Sequence, residues 1–315
     1  MRAVSLFAVV VLCVLGAAAQ TAPAHAPIID VHLHAYPIGA LGPPGVPNPA
    51  TGKPSPATED AMRRENLAAL ELYNIVRAVT SGAPSELVRQ WKAAAPERII
   101  AAIYIGGGRG HWPEVDSLRA AYQAGELSVL GELGLQYQGL TLSSPEVEPY
   151  LGLAEELDIP VAVHTGLGPP GATYGCCPKF RAELGNPLLI EEALARHPKL
   201  RVYIMHAGYP YLEETIALLH AHPRVYADVA VIDWVLARPD FHDYLRRLMQ
   251  HTDCGIPKRL MFGSDQMRWP ESIGRAIAGI ESADFLTAEE KRDIFYNNAA
   301  RFLRLDTRAQ TSPAR

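Results

Sequence analysis

The sequence predicts an α/β fold, a single-domain (β/α)8 or TIM barrel, and three observations point to it. Short apolar runs alternate with longer amphipathic stretches along the chain. There are eight such runs, each followed by room for a helix. The metal-type side chains gather at the C-terminal ends of the runs. Parallel strands are buried on both faces and so read as continuous apolar runs rather than alternating ones. Eight βα units are the count of this barrel.

The runs span residues 28–33, 75–80, 99–105, 129–133, 160–164, 201–206, 225–229 and 260–263. Between them, residues 58–73, 145–157, 188–197 and 211–220 carry apolar side chains at helical spacing. Pro145 and Pro187 stand where a first helical turn tolerates a residue without an N–H. Two connections depart from this rhythm. Residues 35–57 and 165–179 are long, rich in Pro and Gly, and without helical or strand period. Both follow strands, which in a barrel enzyme places them on the active-site face as lids or binding loops. Residues 28–305 read as one barrel, and 306–315 as a flexible polar tail.

The 315 residues are 48% hydrophobic and 20% charged, ordinary globular composition with ample material for a core. A net charge of −5 and the lack of a basic stripe argue against a nucleic-acid partner. A small-molecule substrate is expected, and a homo-oligomer is left open. The start reads differently. Met1-Arg2 is followed by an apolar run from Val4 to Leu15 and the small residues Gly16-Ala17-Ala18-Ala19. This is the order of a secretory signal peptide over residues 1–19, too short for a comfortable membrane span. Cleavage after Ala26 is the alternative to cleavage after Ala19. The mature chain is expected to be soluble, periplasmic or secreted, with no membrane partner. It would keep Cys176, Cys177 and Cys254, an odd number that cannot form a closed disulfide framework. A bond from Cys176 or Cys177 to Cys254 is one expectation, and free thiols are the other.

The chemistry lies at the strand ends. Asp30-Val31-His32-Leu33-His34 closes the first run, and side chains two apart on a strand share a face. Glu132 ends the fourth run, His164 the fifth and His206 the sixth, while Asp265 follows the eighth. Each is costly there unless paired or coordinating, and a barrel brings these ends into one ring. Any one of them alone is weak, since a lone strand-end histidine is more often a satisfied core residue. Four histidines with two carboxylates form a ligand set that suits Zn²⁺, with Mn²⁺, Fe²⁺ or Ni²⁺ as alternatives and one or two ions per chain.

These stretches resemble the amidohydrolase superfamily, in particular its amidohydrolase-related branch of metal-dependent hydrolases. The matching segments are Ile29 to His34, Gly131 to Gly139, His164, Met205-His206-Ala207-Gly208 and Phe262-Gly263-Ser264-Asp265, with a closing helix from Ile294 to Leu303. The resemblance implies that His32, His34 and Asp265 hold a buried metal. Glu132 would stand at the bridging carboxylate position, with His164 and His206 on a second ion. It further implies a metal-activated water, with Asp265 as proton acceptor and His206, if not a ligand, stabilising the developing oxyanion. The reaction would cleave an amide, lactone, ester or related bond of a small molecule. The same superfamily contains non-oxidative decarboxylases, which generally lack that glutamate, and TatD-like phosphoesterases, which carry a similar Gly-Glu segment. A barrel that binds without catalysing is a further alternative, disfavoured by the complete ligand set.

Tyr137, Gln138, Arg109, Arg268 and Trp269 fall just beyond strands and are expected to contact substrate, with His111 and Tyr174 as further pocket candidates. The run Gly106-Gly107-Gly108-Arg109-Gly110 lacks the Lys-Ser/Thr of a phosphate loop and reads as a flexible site loop. His197, His220, His222, His242 and His251 read as surface residues. Mass spectrometry of the mature N-terminus is expected to show a start near Gln20 or Pro27; an intact Met1 on soluble cytoplasmic protein would reject export.

Overall fold

The structure is a computed structural model, described for residues 25–83, 85–108 and 110–305. The expected signal peptide, the tail and Arg109 lie outside the described residues. Eight parallel strands follow one another around a single sheet in chain order. They are β1 (Ile28–His34), β2 (Ile75–Ser81), β3 (Ile99–Gly106), β4 (Val129–Gly134), β5 (Val161–Val163), β6 (Val202–Ile204), β7 (Tyr226–Asp228) and β8 (Leu260–Met261). The N–H groups of Val31 and His34 donate to the carbonyls of Phe262 and Gln266, joining the eighth strand region to the first. All eight expected strands are present.

Helices α1 (Glu59–Leu72), α2 (Ser85–Ala94), α3 (Val115–Gln123), α4 (Glu148–Leu157), α5 (Glu191–Arg196) and α6 (Leu212–Ala221) alternate with β1 to β7. Two helices, α7 (Ile232–Val235) and α8 (Arg238–Met249), connect β7 to β8, and α9 (Ser272–Glu281), α10 (Ala288–Arg292) and α11 (Asn298–Phe302) follow. The Thr58 side chain accepts from the Ala61 N–H and so starts α1. Pro145 and Pro187 each open a 3₁₀ turn that leads into α4 or α5, where a missing N–H is harmless.

The barrel interior is filled at its N-terminal end. Ile29, Val31, Val129, Tyr203 and Met261 pack there against Tyr296, Ala299 and Phe302 of the closing helical segment. Asn298 Nδ2 donates to the carbonyls of Pro257 and Leu260, locking that segment to the start of β8. The other end is left for polar side chains. Register shifts fall between Asp30 and Leu33 and between Leu130 and Leu133, where β1 and β4 deliver their ionisable residues. Irregularities of this kind re-aim side chains beside functional sites.

Arg259, 5% exposed, secures the turn into β8. Its guanidinium donates to the carbonyls of Leu219, His222, Val225 and Cys254. Burial lowers its pKa from the ordinary arginine value, and no carboxylate contacts it at salt-bridge distance among the described residues. Arg259→Ala strips these buried carbonyls of their donor and is expected to destabilise the fold by about 3 kcal/mol in chemical denaturation. A change within about 0.5 kcal/mol, the range of ordinary surface substitutions, would show that water replaces the guanidinium.

Candidate metal centre

The six strand-end residues meet at the C-terminal mouth, each at most 6% exposed. His32 and His34 bring their Nε2 atoms to 3.1 Å of one another. Asp265 Oδ1 lies 3.0 Å from His34 Nε2 and 3.4 Å from His32 Nε2. Glu132 Oε2 lies 3.2 Å from His34 Nε2 and 3.8 Å from His32 Nε2, and its Oε1 is 3.6 Å from His164 Nδ1. Ligand atoms of Glu132, His164 and His206 also converge, so Glu132 belongs to two adjoining groups.

The outward-facing ring nitrogens settle how each imidazole is presented. His32 Nδ1 lies 3.1 Å from Asp228 Oδ2, and a carboxylate can only accept, so Nε2 is left toward the centre. His206 Nδ1 lies 3.1 Å from the Ala230 carbonyl, with the same consequence. His34 Nδ1 pairs with Ser81 Oγ at 3.0 Å, and His164 Nε2 pairs with the Tyr137 hydroxyl at 2.9 Å. Partners of this type hold metal-binding imidazoles in one orientation. Asp228 does more, since its Oδ1 also accepts from the N–H groups of His206 and Ala230. Asp30 Oδ1 accepts from the N–H groups of His32 and Ser264, tying β1 to the segment that carries Asp265.

The backbone bends to make these approaches. His206, Ala207, Val231 and Asp265 all have positive φ, a region that costs residues with a Cβ and gathers at functional sites. Two glycines have no room to be anything else. A Cβ on Gly131, whose φ is +143°, would lie 2.4 Å from that of Ala162, and one on Gly263 would lie 2.7 Å from His32 Cβ.

Charge balance matches the geometry. Burial opposes charge on His32, but Asp265, Asp228 and Glu132 outweigh it and raise its pKa well above the ordinary value. His34 is raised by Asp265 and Glu132 against the same opposition. Burial would raise Glu132 and Asp265, yet the surrounding imidazoles hold both below the usual carboxylate range. Burial pushes His164 down to about 4, leaving it a neutral ring. Positive charge is therefore favoured between the carboxylates. His164 Nδ1 and Asp265 Oδ1 are buried with no hydrogen-bond partner among the described residues. Ligands about 2.0–2.2 Å from one ion stand about 3.0–3.5 Å apart, close to the separations seen here. The residues present fit one divalent ion held by His32, His34, Asp265 and Glu132, and a second shared through Glu132 with His164 and His206.

The other expected contacts divide. Tyr137 stacks on His164 at 5.1 Å. Gln138 Nε2 donates to the Gly107 carbonyl. Arg268 donates to the carbonyls of Leu41 and Pro43, and Trp269 Nε1 to that of Val46, so both side chains hold the loop after β1. His111 extends the β3 turn by exchanging backbone hydrogen bonds with Gly106, and Tyr174 is 95% exposed. Sequence reasoning passed over Tyr36, which stacks on His34 at 4.4 Å, and Tyr104, edge-on to both rings. It also passed over Asp228, although an aspartate inside the apolar run 225–229 is the same signal that marked the others.

Two expectations are corrected. Cys176 and Cys177 bond to each other, and Cys254 is a free thiol, because the loop brings the neighbours together rather than reaching α8. His197 is no surface residue: it is 9% exposed and bridges Glu148 and Glu155, joining α4 to the end of α5.

Comparison with known proteins bears on the family and the fold. The family model described as Amidohydrolase matches residues 29–305. No curated protein sequence matches the chain. Among solved structures, a probable 2-pyrone-4,6-dicarboxylic acid hydrolase from Acinetobacter baumannii is 16% identical, covering 88% of this chain and 99% of its own, with a TM-score of 0.62. A 2,6-dihydroxybenzoate decarboxylase from Rhizobium is 13% identical, covering 90% and 99%, with a TM-score of 0.57. A putative amidohydrolase from Staphylococcus aureus is 18% identical, covering 89% and 100%, also at 0.57. At these identities the structures speak for the fold, and the family match speaks for the chain, which belongs to the amidohydrolase family.

Proposed function

We propose that the chain is an exported hydrolase that cleaves an ester, lactone or amide bond of a small molecule with the help of one or two divalent ions, zinc the first choice. The convergence of His32, His34, Glu132 and Asp265 within 3.0–3.8 Å carries this reading. Two of the similar structures, a probable 2-pyrone-4,6-dicarboxylic acid hydrolase and a 2,6-dihydroxybenzoate decarboxylase, mark the two reactions to be told apart. Glu132, a second carboxylate at the centre, favours hydrolysis.

When bound, a divalent ion at this centre would act as a Lewis acid toward water and the substrate carbonyl. The residues supply the rest. Asp265 presents an unpartnered buried oxygen beside both imidazoles of β1 and accepts the proton of the attacking water. It then returns that proton to the leaving group. Glu132 balances positive charge from both sides, and the Asp228 carboxylate keeps His32 in the orientation that leaves Nε2 inward. Tyr36, Tyr104 and Tyr137 wall the centre with rings whose hydroxyls burial keeps protonated well above neutral pH. No described helix is long and apolar enough to cross a membrane.

Elemental analysis of purified protein is expected to find one to two zinc-type ions per chain. Chelation or His32→Ala with His34→Ala should remove metal and activity together on a panel of lactones, esters, amides and phosphoesters. Carbon dioxide release without incorporation of labelled water oxygen would select decarboxylation instead, and full activity in metal-free protein would sink both readings.

Glu132→Gln keeps the shape and removes the charge, so a bridged centre should retain at most one ion and lose most of kcat. A residue that merely orients a ligand would cost about 10–100-fold in affinity or rate with the metal count unchanged. Asp265→Asn should lower kcat by about 10²–10⁴-fold while sparing most of the metal, the loss expected for a proton acceptor.

A further inference from the structure

The Cys176–Cys177 bond runs from an exposed residue to one that is 2% exposed. Cys177 lies in a small apolar cluster with Ala172 and Phe180, apart from the barrel core, and Tyr137 packs against that cluster. The ring of Phe180 is 5.4 Å from that of Tyr137, which in turn stacks on His164 and reaches its Nε2 with the hydroxyl at 2.9 Å. The loop after β3 closes over the sulfurs. A Cβ on Gly108 would lie 2.9 Å from Cys177 Sγ, and one on Gly168 would lie 2.7 Å from Phe180 and 3.1 Å from Tyr137. Loops that follow β3, β4 and β5 therefore meet at this bond, with the Tyr137 ring held among them.

Bonded sulfurs sit about 2.0 Å apart, whereas unbonded ones need about 3.5 Å or more. Gly108 leaves no space for even a methyl beside Cys177 Sγ, so the buried sulfur is closely confined on that side, while Cys176 faces solvent. Opening the bond frees Cys176 to swing toward solvent and releases Cys177 against Gly108 and the rings behind it, and Tyr137 is the ring that touches both the cluster and the centre. We propose that the Cys176–Cys177 disulfide is a thiol-exchange site that positions Tyr137 and, through its hydroxyl, the imidazole of His164.

A thiolate of a dithiol reductant attacks the exposed Cys176 sulfur, and Cys177 leaves as a thiolate that takes up a proton. The reductant's second thiol then displaces Cys176, giving two protein thiols and the oxidised, cyclic reductant. In an oxidising compartment the bond stays closed. The consequence for metal affinity rests on the reading of His164 as a ligand; the consequence for the imidazole does not.

The test begins with the unreduced protein, alkylated and digested. The Cys176–Cys177 peptide should be unmodified and lighter by two hydrogens than its reduced form, while the Cys254 peptide is alkylated. Nitrogen-15 NMR of the histidines in the folded chain, before and after dithiothreitol, should show the His164 Nε2 signal moving on reduction. In the zinc-loaded protein the more weakly held ion should lose affinity by about 10–100-fold, the effect of losing a group that orients a ligand. Cys254→Ser should respond as the parent does. Cys176→Ser with Cys177→Ser should match the reduced chain and ignore dithiothreitol. Tyr137→Phe should already have the altered His164 signal and change no further on reduction, which a brace acting on overall stability would not produce. A shifted His164 signal with unchanged zinc affinity supports the positioning and rejects His164 as a ligand. Alkylated Cys176 and Cys177 in the unreduced protein, or a His164 signal indifferent to reduction, would overturn the proposal.

Discussion

Glu132 and Asp265 carry carboxylates into a ring of four imidazoles that is almost closed to solvent, and this concentration of charge constrains everything around it. A buried ion costs several kcal/mol unless its partners are close and well aligned. The neighbouring strand ends are accordingly given over to that alignment. Asp228 orients His32 and receives two backbone N–H groups, Ser81 meets His34, the Ala230 carbonyl meets His206, and Tyr137 meets His164. Every one of these partners lies behind the ring it contacts, so the inner nitrogens are left facing one another. That is unfavourable for a protein alone and favourable for one that holds a cation.

The backbone shows the same bias. His206, Ala207, Val231 and Asp265 sit at positive φ around the centre, at a cost of about 1–3 kcal/mol each. Valine is the most telling of them, because a β-branched side chain gains nothing locally from that region. Such strain persists only where the surroundings over-determine it. The opposite end of the barrel supplies the rigidity: Tyr203, fully buried, donates its hydroxyl to the Val31 carbonyl, and the closing helical segment plugs the interior beneath it. Stability and chemistry are thus separated along the barrel axis.

What the sequence discloses follows from the same separation. The buried strands announce themselves because a segment covered on both faces must be apolar throughout, and the ionisable residues stand out because they interrupt that pattern at one end. The eight strands and the ring of six residues were legible for this reason. The exact strand ends were not. The run 201–206 is a strand only over Val202–Ile204, because the chain turns left-handed at His206 to aim its ring, and no local pattern carries that instruction. The residues behind the ring were equally hidden. Asp228 looks like a ligand candidate, Ser81 like an ordinary serine and Tyr36 like a loop residue until the barrel closes. The vicinal bond escaped because cysteine spacing is read for distant partners, whereas the loop settles which sulfurs meet.

The two long loops at the mouth are held by different sets of contacts, and this bears on how a substrate is met. The loop after β1 is bound to the segment beyond Asp265 by polar side chains: Arg268 and Trp269 take its carbonyls, and Glu271 receives Asn48 and Thr51. The loop after β5 combines hydrogen bonds, from Gln136 Nε2 to the Gly166 carbonyl and from the Leu167 N–H to that of Tyr209, with an apolar cluster of Ala172, Cys177 and Phe180 against Tyr137. Polar atoms that sequence position assigns to a ligand are therefore already engaged in shaping one wall. Aromatic surface remains next to the centre, with Tyr36 on His34 and Tyr137 on His164. Among the described residues, what borders the ionisable ring is therefore aromatic surface rather than fixed charge. Polar side chains from the β8 segment fix the wall on the Asp265 side, while on the His164 side the Cys176–Cys177 loop packs on Tyr137 through its apolar cluster.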